Sequence, residues 1–235
     1  MKGNKIIGMI PFYLLAAILT IALAQTGSTA VTTIASSKPV QREHCIIIDA
    51  GHGGVDGGAT SCTGVLESAF NLQIALRLDD LLHLLGYETV MIRSTDISIY
   101  TTGETIAAKK ISDLKERVRI VNETQGAILI SIHQNTFSDS RYSGAQVFYA
   151  PTEGSIELAK HLQSSLIETI NTGSNRQCKK ADGVYLMSHI EGPGVLIECG
   201  FLSNPEEEAK LRSDLYQKQL CAVIASNISE FCIRS

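Results

Sequence analysis

Ile46-Ile47-Ile48-Asp49-Ala50-Gly51-His52-Gly53-Gly54 is the stretch from which the fold can be read. Three β-branched residues in succession read as a buried strand. The run breaks at a glycine-rich turn that carries one aspartate and one histidine. In open α/β sheets, ligands gather at the carboxyl ends of strands, and His52 falls at such an end. Glycines there let a metal ion or a substrate approach the backbone closely. A single histidine in a turn is more often structural or solvated, so the reading gains force only if ligand-type residues end other strands. Two more strands end that way.

Outward from this stretch, the periodicity alternates between strand and helix. The first strand, Cys45–Asp49, is followed by a loop to Leu66 and a helix over 67–85. Leu72, Ala75, Leu76, Leu78, Leu81, Leu82 and Leu85 make its apolar face, and Gly86 ends it. A strand over 87–93 and a polar loop over 94–111 come next. Ser112 and Asp113 then cap a helix through Glu123, with Leu114, Val118 and Val121 inward. Strands follow at 127–133 and 144–149, then a helix over 155–171 and a polar stretch over 172–182. A short strand at 184–187 precedes the last core strand, 194–199. Asn204-Pro205 reads as a capped turn, and 213–231 as a long helix. The expected fold is α/β: a single domain with a mixed, mostly parallel sheet of about six strands and helices on both faces.

The chain of 235 residues suffices for one well-buried domain plus an appendage. Lys2 and Lys5 precede Ile6 to Ala24, which carry no charge. That pattern fits an export signal cut after Ala24, or a membrane anchor. Residues 25–40 are rich in Ser, Thr and Ala without periodicity and read as a linker; residues 41–235 form the expected domain. Either reading of the leader makes the domain exported, with membrane contact only through the N-terminal segment. A net charge of −4 without a basic run argues against nucleic acid as a partner.

Six cysteines stand at 45, 62, 178, 199, 221 and 232. Cys221 and Cys232 share one expected helix, about 16 Å apart, too far for a bridge that needs Cα atoms within about 7 Å. Cys45 and Cys199 fall in central strands as small buried hydrophobes. No disulfide framework is expected; a Cys62–Cys178 loop bridge stays open.

Three apolar strands thus end in acidic or imidazole residues: Asp49 and His52, His133, and Glu198. A carboxylate is costly to bury unless it is paired or serves a metal. Two histidines and a glutamate holding Zn²⁺ with an open fourth position is a known catalytic arrangement, and a further carboxylate can then act as general base. Glu67, opening the first helix, is within reach of the same strand ends. The plainer readings are a satisfied core histidine for His133, a helix N-terminal acid for Glu67, and a structural ion pair between Glu198 and Arg93. Of the other histidines, only His189, in the loop before the last core strand, is placed near a cleft.

Four segments in order, Ile-Asp-Ala-Gly-His-Gly-Gly (48–54), Glu67, Ser-Ile-His-Gln-Asn (131–135) and Leu-Ile-Glu-Cys-Gly-Phe-Leu-Ser-Asn-Pro (196–205), resemble the zinc-dependent N-acetylmuramoyl-L-alanine amidases. The resemblance spans about residues 45–232. It implies one Zn²⁺ per chain on His52, Glu67 and His133, with Glu198 as the catalytic glutamate. It implies hydrolysis of the amide between the lactyl group of N-acetylmuramic acid and the L-alanine of the stem peptide, in peptidoglycan. Asp49 is expected to orient a ligand histidine, and Asn135 to offer hydrogen bonds to substrate or a loop. Gln134 departs from the small residue common in the family, which bears on substrate fit. The short architecture resembles the branch that processes spore cortex toward muramic-δ-lactam. A vegetative wall amidase, a zinc stem-peptide peptidase and a non-catalytic wall-binding protein are the rivals. An activating protein partner is a further expectation.

Overall fold

The computed structural model of the protein describes residues 44–234. The expected export segment (1–24), the whole linker (25–40) and the first residues of the expected domain (41–43) therefore lie outside the described residues. Six strands form one sheet: β1 (Cys45–Ala50), β2 (Glu88–Met91), β3 (Ala127–Asn135), β4 (Gln146–Tyr149), β5 (Lys179–Lys180) and β6 (Gly194–Phe201). Their order is β2-β1-β3-β6-β4-β5. The pairs β2/β1, β1/β3, β3/β6 and β4/β5 are parallel, and β4/β6 alone is antiparallel. The α/β, mostly parallel architecture is as the alternating periodicity implied.

Side-chain alternation along each strand divides the interior into two layers. Ile46, Ile48, Ile128, Ile130, Ile132 and Ile197 face one layer, under α1 (Glu67–Leu84), α3 (Ser155–Thr169) and α6 (Asp214–Arg234). Ile47, Leu129 and Leu196 face the other, under α2 (Ile106–Glu123) and the short α4 (Tyr185–His189). The eight-residue α5 (Pro205–Arg212) packs on α6 and β6. The same parity puts Asp49, Ser131, His133 and Glu198 on the α2 side and Gln134 on the α1 side.

Several local expectations are corrected. The short apolar run at 184–187 is not a strand but the start of α4, with Leu186 and Met187 buried. Four apolar residues do not distinguish the two periods, and docking against the sheet selects the helical turn. The polar stretch over 172–182 contributes the two-residue β5. α2 begins at Ile106, with Thr105 as its cap accepting from Ala108 N, not at Ser112. Ser112 and Asp113 lie inside the helix and accept from loop N–H groups: Thr101 and Thr102 on Ser112 Oγ, and Ile99 on Asp113 Oδ1 at 2.6 Å. They do the chemistry of a cap for a different segment. α1 buries Phe70, Ile74, Ala75, Leu78 and Leu82, whereas Leu76 and Leu85 from the expected face are exposed. Asn204 caps α5 through Glu206 and Glu207 N–H, so the anticipated turn continues as a helix. None of the six cysteines is in a disulfide; Cys45 and Cys199 are buried, and Cys62 and Cys178 are unbridged. No described helix is long and apolar enough to cross a membrane.

Candidate metal centre

The site lies at the carboxyl ends of β1, β3 and β6. His52 sits one residue past Gly51 with φ +60, the only non-glycine residue with positive φ among those described. This left-handed conformation costs of order 1–3 kcal/mol and must be held by its surroundings. Arg117 Nη2 donates to the His52 carbonyl at 2.8 Å, Gly53 and Asp56 exchange backbone hydrogen bonds, and Ser98 Oγ donates to Gly53 O at 2.6 Å.

Glu67 is brought in by the start of α1. No side chain caps this helix; its first N–H groups donate to loop carbonyls, Glu67 N to Ala59 O and Ser68 N to Gly57 O. The loop folded back in this way returns Ala59 N–H to Glu67 Oε2 at 3.0 Å. Gln134 N and Asn71 Nδ2 donate to Oε1. His133, on the β3 side facing α2, completes the group at a register shift in its pairing with β6.

The three side chains converge. His52 Nε2 lies 3.3 Å from Glu67 Oε2, and His133 Nδ1 lies 3.1 Å from Glu67 Oε1. One ligand atom from each falls within 4.8 Å of the others. Two glycines make room. A Cβ on Gly51 would stand 2.2 Å from the His133 ring, and one on Gly58 2.7 Å from Glu67 Oε2. Two imidazole nitrogens and a carboxylate oxygen are a donor set suited to zinc.

Charge follows from this crowding. Burial works against the Glu67 carboxylate, but hydrogen bonds from His133 and His52 outweigh it and hold its pKa far below the usual range. Burial likewise opposes the His52 imidazolium, yet Glu67 and Asp56 raise its pKa to about 9. Glu198 stands directly opposite His133 in the β3/β6 register. Burial pushes its carboxyl to about 7, with Glu67 adding to the shift while His133 and His52 oppose it. Its Oε2 is buried with no hydrogen-bond partner. A half-buried carboxyl with one empty oxygen beside a ligand cluster is equipped to take up and return a proton.

The remaining candidates have other places. Asp49 does not hydrogen-bond a histidine ring. Its carboxylate accepts from Arg117 Nη1 and from Ser131 Oγ at 2.6 Å, because its strand parity turns it toward α2. The carboxylate on the His52 ring belongs to Asp56, whose Oδ2 is 3.0 Å from His52 Nδ1. The signal available in the sequence was its position four residues after His52. Arg93 does not pair with Glu198. Its buried guanidinium donates to the carbonyls of Ala50, Gly51, Ser68 and Thr95, tying the turn to the sheet. Arg117, which sequence reading did not single out, links Asp49, Asp113 and the His52 carbonyl. Asn135 is half-buried, and its carbonyl accepts from Leu202 N at 2.8 Å. The Gln134 side chain faces α1, where Nε2 donates to Asn71 Oδ1, so it reaches the site through a residue that braces Glu67, while its backbone N–H donates to Glu67 directly. His189 is exposed, stacked on Tyr185.

A cavity of about 290 Å³ opens over the site, lined by His52, His133 and Glu198, by Val55, Leu114, Val184, Leu186 and Leu196, and by Lys109 and Lys110. Glu67 stands behind the two histidines.

Residues 46–230 match the N-acetylmuramoyl-L-alanine amidase family. The chain is 36% identical over 188 residues to the germination-specific N-acetylmuramoyl-L-alanine amidase of Bacillus subtilis (strain 168), covering 79% of this chain and 78% of that protein. Among solved structures, the CwlD amidase from Clostridioides difficile in complex with the GerS lipoprotein matches with TM-score 0.78 and 36% identity, over 82% of this chain and all of that one. The N-acetylmuramoyl-L-alanine amidase from Clostridium difficile 630 matches with TM-score 0.71 and 30% identity, over 81% of this chain and 97% of that one.

Proposed function

The chain belongs to the N-acetylmuramoyl-L-alanine amidases, which act on peptidoglycan, and from that membership we propose that it works with one zinc ion held by His52, Glu67 and His133 and with Glu198 as its general base. The observation that carries this reading is the unpartnered Oε2 of Glu198 beside a converged His-Glu-His set. Zinc in such a set supplies a Lewis acid that makes water a nucleophile near neutral pH and polarises a carbonyl.

The protein's own groups do the rest. Asp56 fixes His52 through Nδ1, leaving Nε2 for the metal, as second partners of ligand histidines do. The backbone donors of Ala59 and Gln134 hold Glu67 in place, and the two histidines keep it ionised. As water attacks the lactyl carbonyl carbon, Glu198 Oε2 accepts its proton. The same oxygen returns that proton to the L-alanine nitrogen as the C–N bond breaks, leaving a lactyl carboxyl and a free amine. The apolar wall formed by Leu114, Leu186 and Leu196 strengthens these interactions by limiting water.

The physiological setting is proposed on the same footing. The germination-specific relative supports a role in the spore; we extend it to cortex processing toward muramic-δ-lactam, with residues 1–24 directing export as a signal peptide or an anchor ahead of a linker over 25–40. The relative solved with the GerS lipoprotein supports a protein partner for this chain. The test is zinc content and product analysis of the purified protein. One zinc per chain and stem peptides beginning with L-alanine support the reading; cuts within the peptide overturn it. Glu198→Gln is expected to retain zinc while losing 10²–10⁴-fold in turnover. Wild-type turnover in that variant would refute the assignment of the base.

A further inference from the structure

The cavity that holds His52, His133 and Glu198 also receives the N-terminal turns of α2, with Lys109 and Lys110. Most charged groups around it are neutralised in place. Lys110 Nζ lies 2.7 Å from Asp56 Oδ1, and Asp56 also holds His52. Arg117 is paired with Asp49 and Asp113. Lys109 differs: it is half-buried, its Nζ lies 4.9 Å from the Tyr100 ring centroid, and no carboxylate pairs with it among the described residues. A cation over an aromatic face at the edge of a cleft keeps its charge available to a ligand.

The substrate offers an anion on only one side of the bond to be cut. On the glycan side the lactyl carboxyl is consumed in the amide, and the sugar hydroxyl and acetamido groups are neutral. On the peptide side L-alanine presents a methyl group, which suits the apolar wall of Leu114, Val184 and Leu196. The next residue carries a free α-carboxylate when joined through its γ-carboxyl, and a neutral carboxamide when amidated. Two extended residues span about 7 Å, and Lys109 lines the same cavity as His52, His133 and Glu198.

We propose that Lys109 is a specificity-determining residue that binds the α-carboxylate of the second stem-peptide residue, so that the enzyme distinguishes free from amidated peptidoglycan. The proposal rests on the amidase reading of the site. Lys109 does not touch the reacting atoms; its contribution falls on substrate binding.

The test compares two muropeptides, N-acetylmuramoyl-L-alanyl-γ-D-glutamate and its α-carboxamide, with the zinc-loaded full chain. The wild type is expected to favour the acid by about tenfold in kcat/KM, through KM. Lys109→Gln is expected to bring the ratio near one by raising KM for the acid, and Lys109→Arg to keep the preference. A wild-type ratio near one, or an undiminished ratio in Lys109→Gln, overturns the proposal. Should Lys109→Gln fail to fold, the wild-type ratio is read against salt. A partly exposed charge pair weakens with ionic strength, and an unmoved ratio overturns the assignment. Release of no L-alanine-starting peptide from either substrate is a failure of the amidase reading instead. Calorimetry with L-alanyl-γ-D-glutamate and its amide then reads Lys109 without turnover: tighter binding of the acid supports it, and equal binding overturns it.

Discussion

His52 carries more of the site's chemistry than its one ring suggests. Its imidazole nitrogens are shared between Asp56 and Glu67, and despite burial these carboxylates raise its pKa to about 9 from the ordinary 6.5. In the proposed role of zinc ligand, His52 must shed that proton. Zinc affinity is therefore expected to rise about tenfold per pH unit between 7 and 9 and to flatten above, measured by competition with a chelator. A flat profile over that window would show that His52 is not the proton-releasing ligand. Stability of the metal-free protein runs the other way. The raised pKa favours folding fully below 6.5, and that contribution is lost as pH climbs through about 9. Glu67 is the larger cause of the shift and Asp56 the second; Asp56 was missed in the sequence, because an aspartate in a glycine-rich loop reads as a turn former. Asp49 was the more conspicuous acid, and its strand parity gives it to Arg117.

At the scale of one element, α2 shows how a helix builds a site from the side facing the sheet. Arg117 is buried and joins Asp113, four residues earlier on the same helix, to Asp49 on β1 and to the His52 carbonyl. Asp113 also receives Ile99 N–H, fastening the loop that lies over the turn. Asp113→Ala leaves a buried guanidinium short of one carboxylate and a loop N–H without its acceptor. It is expected to cost about 3 kcal/mol, read by urea denaturation, and a loss under about 1 kcal/mol would show that water replaces the missing group. The residues responsible were visible in the sequence, but Ser112 and Asp113 are good caps and were read as the start of the helix. Their actual acceptor role serves N–H groups ten to fourteen residues earlier, which local rules cannot reach. α4 is the converse case, an apolar run too short for its period to be read.

For the molecule as a whole, the site is an outcome of the sheet. β1, β3 and β6 lie side by side and parallel, so three chain segments far apart in sequence end at one edge. The layers on both faces are filled without the metal. Chelation is therefore expected to abolish hydrolysis and lower Tm while leaving the far-ultraviolet circular dichroism unchanged. Loss of helical signal on chelation would mean instead that metal binding and folding are one event. The amino-acid sequence by itself determined the α/β class and the buried strands, and through segments that resemble one family it named His52, Glu67 and His133, which the structure draws together, and Glu198, because apolar runs and the glycine-rich turn are local patterns. Only the tertiary structure decided that Asp56 rather than Asp49 orients His52, that Arg93 binds carbonyls rather than Glu198, and that Arg117 holds the strained turn. Those are choices among partners of equal chemistry, and strand parity, loop closure and distance in space select among them, none of which spacing along the chain records.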